Sequence, residues 1–272
     1  MTRTSLARYA PCVLLAALWG CTTTTTTTSS PPTAEASRTA SAPPEQGDPE
    51  RRARVRMELA SGYYARGQLD TALDEVKLAL AAKPDLPEAY NLRGLIYQSQ
   101  GDDRLAEENF RRALQLKPGD PNTMHNYGWF LCQRQRLAEA QVQFQQAIAT
   151  PRYAGLSRSL MTQGICYTRA GSLVEAERSL SRAYELDPVN PVTAVNLSDV
   201  LYRQGKYERA RFYISRVNSV PELSNAQTLW LAARIENKAG NTRAARDLGR
   251  QLRNRFPQSP EAESFESGRF ND

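Results

Sequence analysis

The chain has 272 residues, 40% of them hydrophobic and 24% charged, with a formal charge of +6, a composition suited to one or two folded domains or one long repeat array. Its single histidine, His125, excludes any site that needs two, the HExxH zinc proteases among them. The GxxxxGK[ST], GxGxxG and GxSxG signatures are absent, so most enzyme classes have no foothold.

At the N-terminus, Arg3 and Arg8 precede the apolar run Cys12 to Trp19, which Gly20 and Cys21 follow. The run is too short to span a bilayer, and the layout is that of a bacterial secretory signal. Leu18-Trp19-Gly20-Cys21 resembles the lipobox of bacterial lipoproteins, with Trp19 bulkier than the residue usual there. The resemblance implies loss of residues 1–20 as a lipoprotein signal peptide and diacylation of Cys21 by palmitate-class chains. With Thr22 rather than Asp after the cysteine, it also implies delivery to the outer membrane, facing the periplasm. The alternative is an ordinary signal peptide cut near Gly20. Loss of Arg3 and Arg8 lowers the formal charge from +6 to +4. That excess reads as spread along the chain, which argues against a nucleic-acid partner.

Residues 22–50 open on seven threonines and continue with Ser, Pro, Ala and Glu. Such a segment cannot bury enough surface to offset the entropy of ordering. With Cys21 it is expected to form a disordered tether, 21–50, with a reach of about 30 Å r.m.s..

From there a period governs the chain. Gly67, Gly101, Gln135, Gly171, Gly205 and Gly240 are spaced by 34, 34, 36, 34 and 35 residues. Ala72, Ala106, Ala140, Ala176, Ala210 and Ala245 keep the same rhythm. Pro84, Pro118, Pro188 and Pro257 close units of the same length, with Pro151 and Pro221 displaced by one. The physical logic is that of paired helices. Small residues at Gly94, Gly128 and the alanine series let two helices approach, a glycine-like turn reverses the chain, and proline ends each unit. Residues 87–120, with Tyr90, Gly94, Tyr97, Gly101, Ala106, Phe110, Ala113 and Pro118, resemble the tetratricopeptide repeat (TPR). The resemblance predicts an all-α fold, a right-handed superhelix of about six TPR helix-turn-helix repeats. These start near residues 53, 87, 121, 157, 191 and 226 and fill 51–257, with 258–272 as a polar C-terminal tail that has room for a short final helix.

By the same resemblance, positions 2, 5, 9, 12 and 13 of each first (A) helix line the concave face. Position 9 then reads Ser61, Leu95, Trp129, Ile165, Asp199 and Arg234, an apolar centre with polar ends. Leu95, Trp129 and Ile165, with Met161 beside them and Tyr202 further along, make a candidate partner-binding groove. Asn91 and His125, both at position 5, are candidates to hold a peptide backbone. The competing reading packs Trp129 into its own helix pair. No cofactor, metal ligand set or small-molecule site is indicated. Cys132 and Cys166 lie on adjacent A helices, where two readings stay open: a disulfide, or two buried thiols.

The assembly of lipobox, Thr/Ser/Pro tether and six repeats resembles the type IV pilus biogenesis lipoproteins, the PilF/PilW pilotin family. The local segments that carry this are Asn126-Tyr127-Gly128-Trp129-Phe130-Leu131-Cys132, Ala149-Thr150-Pro151-Arg152-Tyr153, and Leu252-Arg253-Asn254-Arg255-Phe256-Pro257. The resemblance implies a non-enzymatic role in twitching motility: binding secretin subunits and promoting their outer-membrane localisation and multimerisation. The alternative is a general periplasmic TPR adaptor that scaffolds envelope enzymes or outer-membrane protein assembly.

Overall fold

A computed structural model describes residues 48–270. The signal peptide, Cys21 and the tether up to residue 47 lie outside the described residues. Within them the chain forms thirteen α-helices and no strand. Twelve helices make six antiparallel pairs: α1 (Pro49–Ala65) with α2 (Leu69–Ala82), α3 (Pro87–Gln100) with α4 (Asp103–Leu116), α5 (Pro121–Gln133) with α6 (Leu137–Ala149), α7 (Leu156–Arg169) with α8 (Leu173–Leu186), α9 (Pro191–Arg203) with α10 (Tyr207–Asn218), and α11 (Ala226–Lys238) with α12 (Thr242–Arg255). The last helix is α13 (Pro260–Glu266). No described helix is long and apolar enough to cross a membrane.

Proline punctuation sets the period more sharply than the terminal prolines alone suggest. Pro84, Pro118, Pro188 and Pro257 are each followed three residues later by a second proline. Those second prolines, Pro87, Pro121, Pro191 and Pro260, open the next helix in its first turn. There proline's missing N–H costs nothing and its fixed φ is already helical. Asp120, Asn190 and Ser259 side chains cap three of these helices by accepting backbone N–H bonds. The third and fifth repeats lack this device, since neither Pro151 nor Pro221 has a second proline three residues on. The third linker carries Arg152 at φ 59°, and α7 starts at Leu156 and α11 at Ala226 without a proline.

Each pair closes on a small residue. A Cβ on Gly94 would lie 2.8 Å from the Phe110 ring, and one on Gly164 would lie 2.5 Å from Leu180 Cγ. The six periodic alanines are at most 1% exposed. Phe110, Phe144, Leu180 and Ile214 fill the space between helices and are buried. Burying each such side chain contributes about 2 to 3 kcal/mol of transfer free energy. The core is a series of clusters passed from one repeat to the next.

One boundary and one charge reading are corrected. The first helix begins at Pro49, with Asp48 accepting from Glu50 N–H, so residues 49 and 50 belong to the first repeat and not to the tether. The short final helix of the C-terminal tail is α13, which packs on α11 and α12, burying Ala262 and seating Phe265 beside Leu252 and Trp230. It covers the apolar side of the last pair, as a stack end requires. Nor is the positive charge evenly spread. Helix α2 carries a net −2, α10 a net +2, and α12, with five arginines against one aspartate, a net +4.

Candidate functional site

The A helices form a continuous layer. Each odd-numbered helix from α1 to α11 touches the next one along, and a ladder of side-chain contacts with one-repeat spacing joins them. Tyr64 Oη lies 3.4 Å from Ser99 Oγ, Gln98 Nε2 donates to Gln133 Oε1 at 2.7 Å, and Asn126 Nδ2 donates to Asn91 Oδ1 at 3.1 Å. The ladder exists because a repeat of 34 or 35 residues returns each A-helix position to nearly the same height one helix further on.

This layer contains every residue of the expected groove, in differing situations. Leu95 is half-buried and packs against the cores of two successive repeats. Trp129 is half-buried against the third-repeat core. Its ring is covered by the Arg169 guanidinium, 5.0 Å from the ring centroid, a cation–π arrangement. Met161 is half-buried against the next core, and Ile165 is also half-buried. Tyr202 sits beside Tyr207, its ring under the Arg234 guanidinium at 4.8 Å. Trp129 and Tyr202 are thus each overlaid by an arginine from the following A helix.

His125 is placed otherwise than the groove reading expects. It is only 6% exposed. Its Nδ1 is 2.8 Å from Ser159 Oγ on α7, and its ring meets the edge of Phe144. Burial, with the nearby Arg158 charge, lowers its pKa to about 4, so the ring is neutral near pH 7. Asn91 is engaged by Asn126. Both position-5 residues join helix to helix, and burial takes His125 out of the groove surface.

Cys132 and Cys166 form a disulfide between α5 and α7, with Cα atoms 5.9 Å apart. Of the two readings open at sequence level, the structure takes the covalent one. Both residues remain buried within the core.

One opening on this face lies toward the C-terminal end, beyond the expected apolar centre. A cleft of ≈ 280 Å³ lies between α6, α7 and α8, lined by Gln145, Gln163, Tyr167 and Arg178. On the A face, Val195, Asp199, Trp230, Leu231, Arg234 and Glu261 line a cleft of ≈ 270 Å³. Asp199 is paired with Arg203 at 2.8 Å, and Arg234 Nε is buried without a partner. The cleft combines apolar floor, both charge signs and an unused donor. Position numbering finds Trp230 and Arg234. Glu261 comes from α13, which the repeat pattern does not reach. Among the described residues no group of three His, Cys, Asp or Glu is placed to hold a metal.

Comparison with known proteins agrees with this architecture. The tetratricopeptide repeat family model matches residues 87–120, and a second TPR model matches 61–101. The chain is similar to the type IV pilus assembly protein PilF of Pseudomonas aeruginosa, 26% identical over 211 residues, 78% of this chain and 83% of that protein. The crystal structure of PilW, described as a widely conserved type IV pilus biogenesis factor, superposes with a TM-score of 0.72 at 31% identity, covering 78% of this chain and 97% of PilW. The mouse BBSome member BBS4 is 27% identical over 155 residues, but the match covers only 29% of BBS4. Identity alone therefore does not separate these relatives, whereas the share of each protein covered does.

Proposed function

This chain belongs to the family of type IV pilus biogenesis TPR proteins that includes PilF and PilW, and on that premise we propose that it acts as a pilotin. It is an outer-membrane lipoprotein, anchored through Cys21, whose A-helix face binds secretin subunits and promotes their localisation and multimerisation. The observation that carries this reading is the match to PilW, which spans 97% of that protein and so includes the whole repeat series. A shared repeat motif alone would not reach so far.

The mechanism is tethering. The lipid supplies the membrane address and the repeat stack supplies the partner. Joining them raises the effective concentration of secretin at the bilayer without any new contact. The chain's own residues supply binding surface and no chemistry: the aromatic rings of the A face under their arginines, and the cleft between Trp230 and Glu261.

The test is a blot for heat- and SDS-resistant secretin multimers in the outer membrane of a deletion strain, complemented with wild type or with Cys21→Ser. Multimers that vanish on deletion and return to the outer membrane only with the wild type support the pilotin reading. Normal multimers without the protein overturn it and favour a general envelope adaptor.

A further inference from the structure

The net charge of the second (B) helices is −2 at α2, between −1 and 0 at α4, α6 and α8, and positive only at the last two, +2 at α10 and +4 at α12. On α10 the excess is largely answered. Arg209 bonds Glu177, and Arg211 bonds both Glu208 and Glu236. On α12 it is not. Arg243, Arg246, Arg250 and Arg253 recur at three- and four-residue intervals, the spacing of one helix face, and all four are exposed. Only Arg250 has a carboxylate partner, Asp247 on the same helix. Arg246 reaches no further than the Thr242 carbonyl. Arg255 points elsewhere, to the Ser224 loop. None of the three acidic residues of the neighbouring α13 pairs with the row: Glu263 pairs with Arg269, Glu261 lines the A-face cleft, and Glu266 makes no ion pair among the described residues.

We propose that this arginine row is a second membrane contact, which lays the C-terminal end of the stack on a bilayer surface rich in anionic phospholipid. The inference rests on the membrane-anchored reading above and adds an orientation to it. Four arginines over ten residues form a straight row about 15 Å long. The residues between and beside them on that face, Asp247 and Asn254, are polar. A protein-binding patch relies on a buried aromatic or aliphatic anchor, and the row has none. A lipid headgroup layer needs only accessible positive charge, each basic residue weighting binding by about fivefold. A chain tethered ahead of α1 and adhering at α12 has both ends of the stack held at the membrane.

The test uses the full chain carrying Cys21→Ser, so that no acyl chain contributes. It is sedimented with vesicles of phosphatidylcholine, with and without phosphatidylglycerol. Phosphatidylglycerol is expected to raise binding. The combined Arg243→Gln, Arg246→Gln, Arg250→Gln and Arg253→Gln variant is expected to lose that gain, by a hundredfold or more if about fivefold per residue holds. Removing the same charge at Arg104, Arg112, Arg178 and Arg182 should leave the preference largely intact. Single Arg243→Gln and Arg253→Gln variants, which break no ion pair, give the per-residue effect even if the combined variant folds poorly. Equal binding to both vesicles, a preference that survives loss of the row, or an equal loss in the control variant each overturn the proposal. A lack of lipid preference together with capture of secretin lost in the row variant would make the row a protein contact instead. Acylation of Cys21 is read separately by mass spectrometry of membrane-extracted chain, so failure of the anchor and failure of the row are told apart.

Discussion

His125 Nδ1 lies 2.8 Å from the hydroxyl of Ser159, the residue 34 positions later on the next A helix. The pair is buried, and burial is the main reason the imidazole pKa falls to about 4, with the Arg158 charge adding to it. The unfolded ring has a pKa of about 6.5. The unfolded chain therefore binds this proton first as pH falls. The stability that the neutral ring contributes is complete above about pH 6.5 and is lost progressively down to about pH 4, by about 3 kcal/mol in total. Asp103, bonded to Arg134, has its pKa lowered by that bond. The Glu177 pKa is raised by partial burial, but bonds from Lys206 and Arg209 outweigh this and lower it overall. Their losses begin only near the ordinary carboxylate range. Urea titrations from pH 7 to 5 should show falling stability in the wild type and a flatter profile in His125→Gln. An unchanged slope in the variant would exclude His125 as its source.

The disulfide from Cys132 to Cys166 closes a loop of 34 residues between adjacent A helices. A cross-link of that length restricts the unfolded chain by about 3 to 4 kcal/mol. Reduction, or the double change Cys132→Ala and Cys166→Ala, should lower Tm by about 10 °C. Calorimetry with and without reductant measures it. A Tm insensitive to reduction would mean that packing of Cys132 and Cys166 alone holds α5 to α7.

The repeat order was readable from the sequence because its main determinants are local. A glycine or alanine at a fixed offset is a steric requirement of helix pairing, and it recurs wherever a pair forms. The PxxP step was equally readable. Pro257 and Pro260 repeat the spacing of Pro84 and Pro87, which sets where the short final helix of the tail begins. Exposure was not readable. Position 5 of an A helix faces the layer in every repeat. Whether it reaches solvent depends on its neighbour 34 residues on, and Ser159 and Phe144 together close over His125. The charge gradient was hidden for another reason: a total of +6 averages an acidic first B helix with a basic last one.

Gln135 occupies the turn position that glycine fills in the other five repeats, at φ 61°. A side chain in that left-handed region costs about 1 kcal/mol relative to glycine, less the entropy glycine regains on unfolding. Gln135→Gly should therefore stabilise the chain slightly, by about 0.5 to 1 kcal/mol in chemical denaturation. Gly101→Gln, at φ 82°, should destabilise it by a similar amount. Effects of the same sign at both positions would rule out backbone strain as the reason.

Trp129 combines half-burial with a guanidinium over its ring. If the A face receives secretin, Arg169 can swing aside and leave an aromatic anchor of the kind that dominates protein interfaces. Trp129→Ala should then reduce secretin capture by about thirtyfold, as a hot-spot loss of about 2 kcal/mol would. Capture by the purified variant, with its helix content checked by circular dichroism, is the measurement. Unchanged capture moves the partner to another face.

Gly249 makes room for α13. A Cβ there would lie 2.0 Å from the Phe265 ring, and Phe265 itself meets Phe270, which packs on Trp230. Gly249→Ala improves the intrinsic helix propensity of α12 by about 1 kcal/mol, yet it forces Phe265 out of the end of the stack. The displaced Phe265 ring is half-buried, and losing its packing, about 1 to 2 kcal/mol, together with that of Phe270 outweighs the propensity gain, so the variant should be less stable overall. The loss should be local, because each repeat contacts only its neighbours. Hydrogen exchange should therefore rise in α11, α12 and α13 and stay unchanged in α3 to α6. Phe265→Ala should reproduce the same pattern. Stabilisation by Gly249→Ala would show that α13 contributes nothing to closing the array.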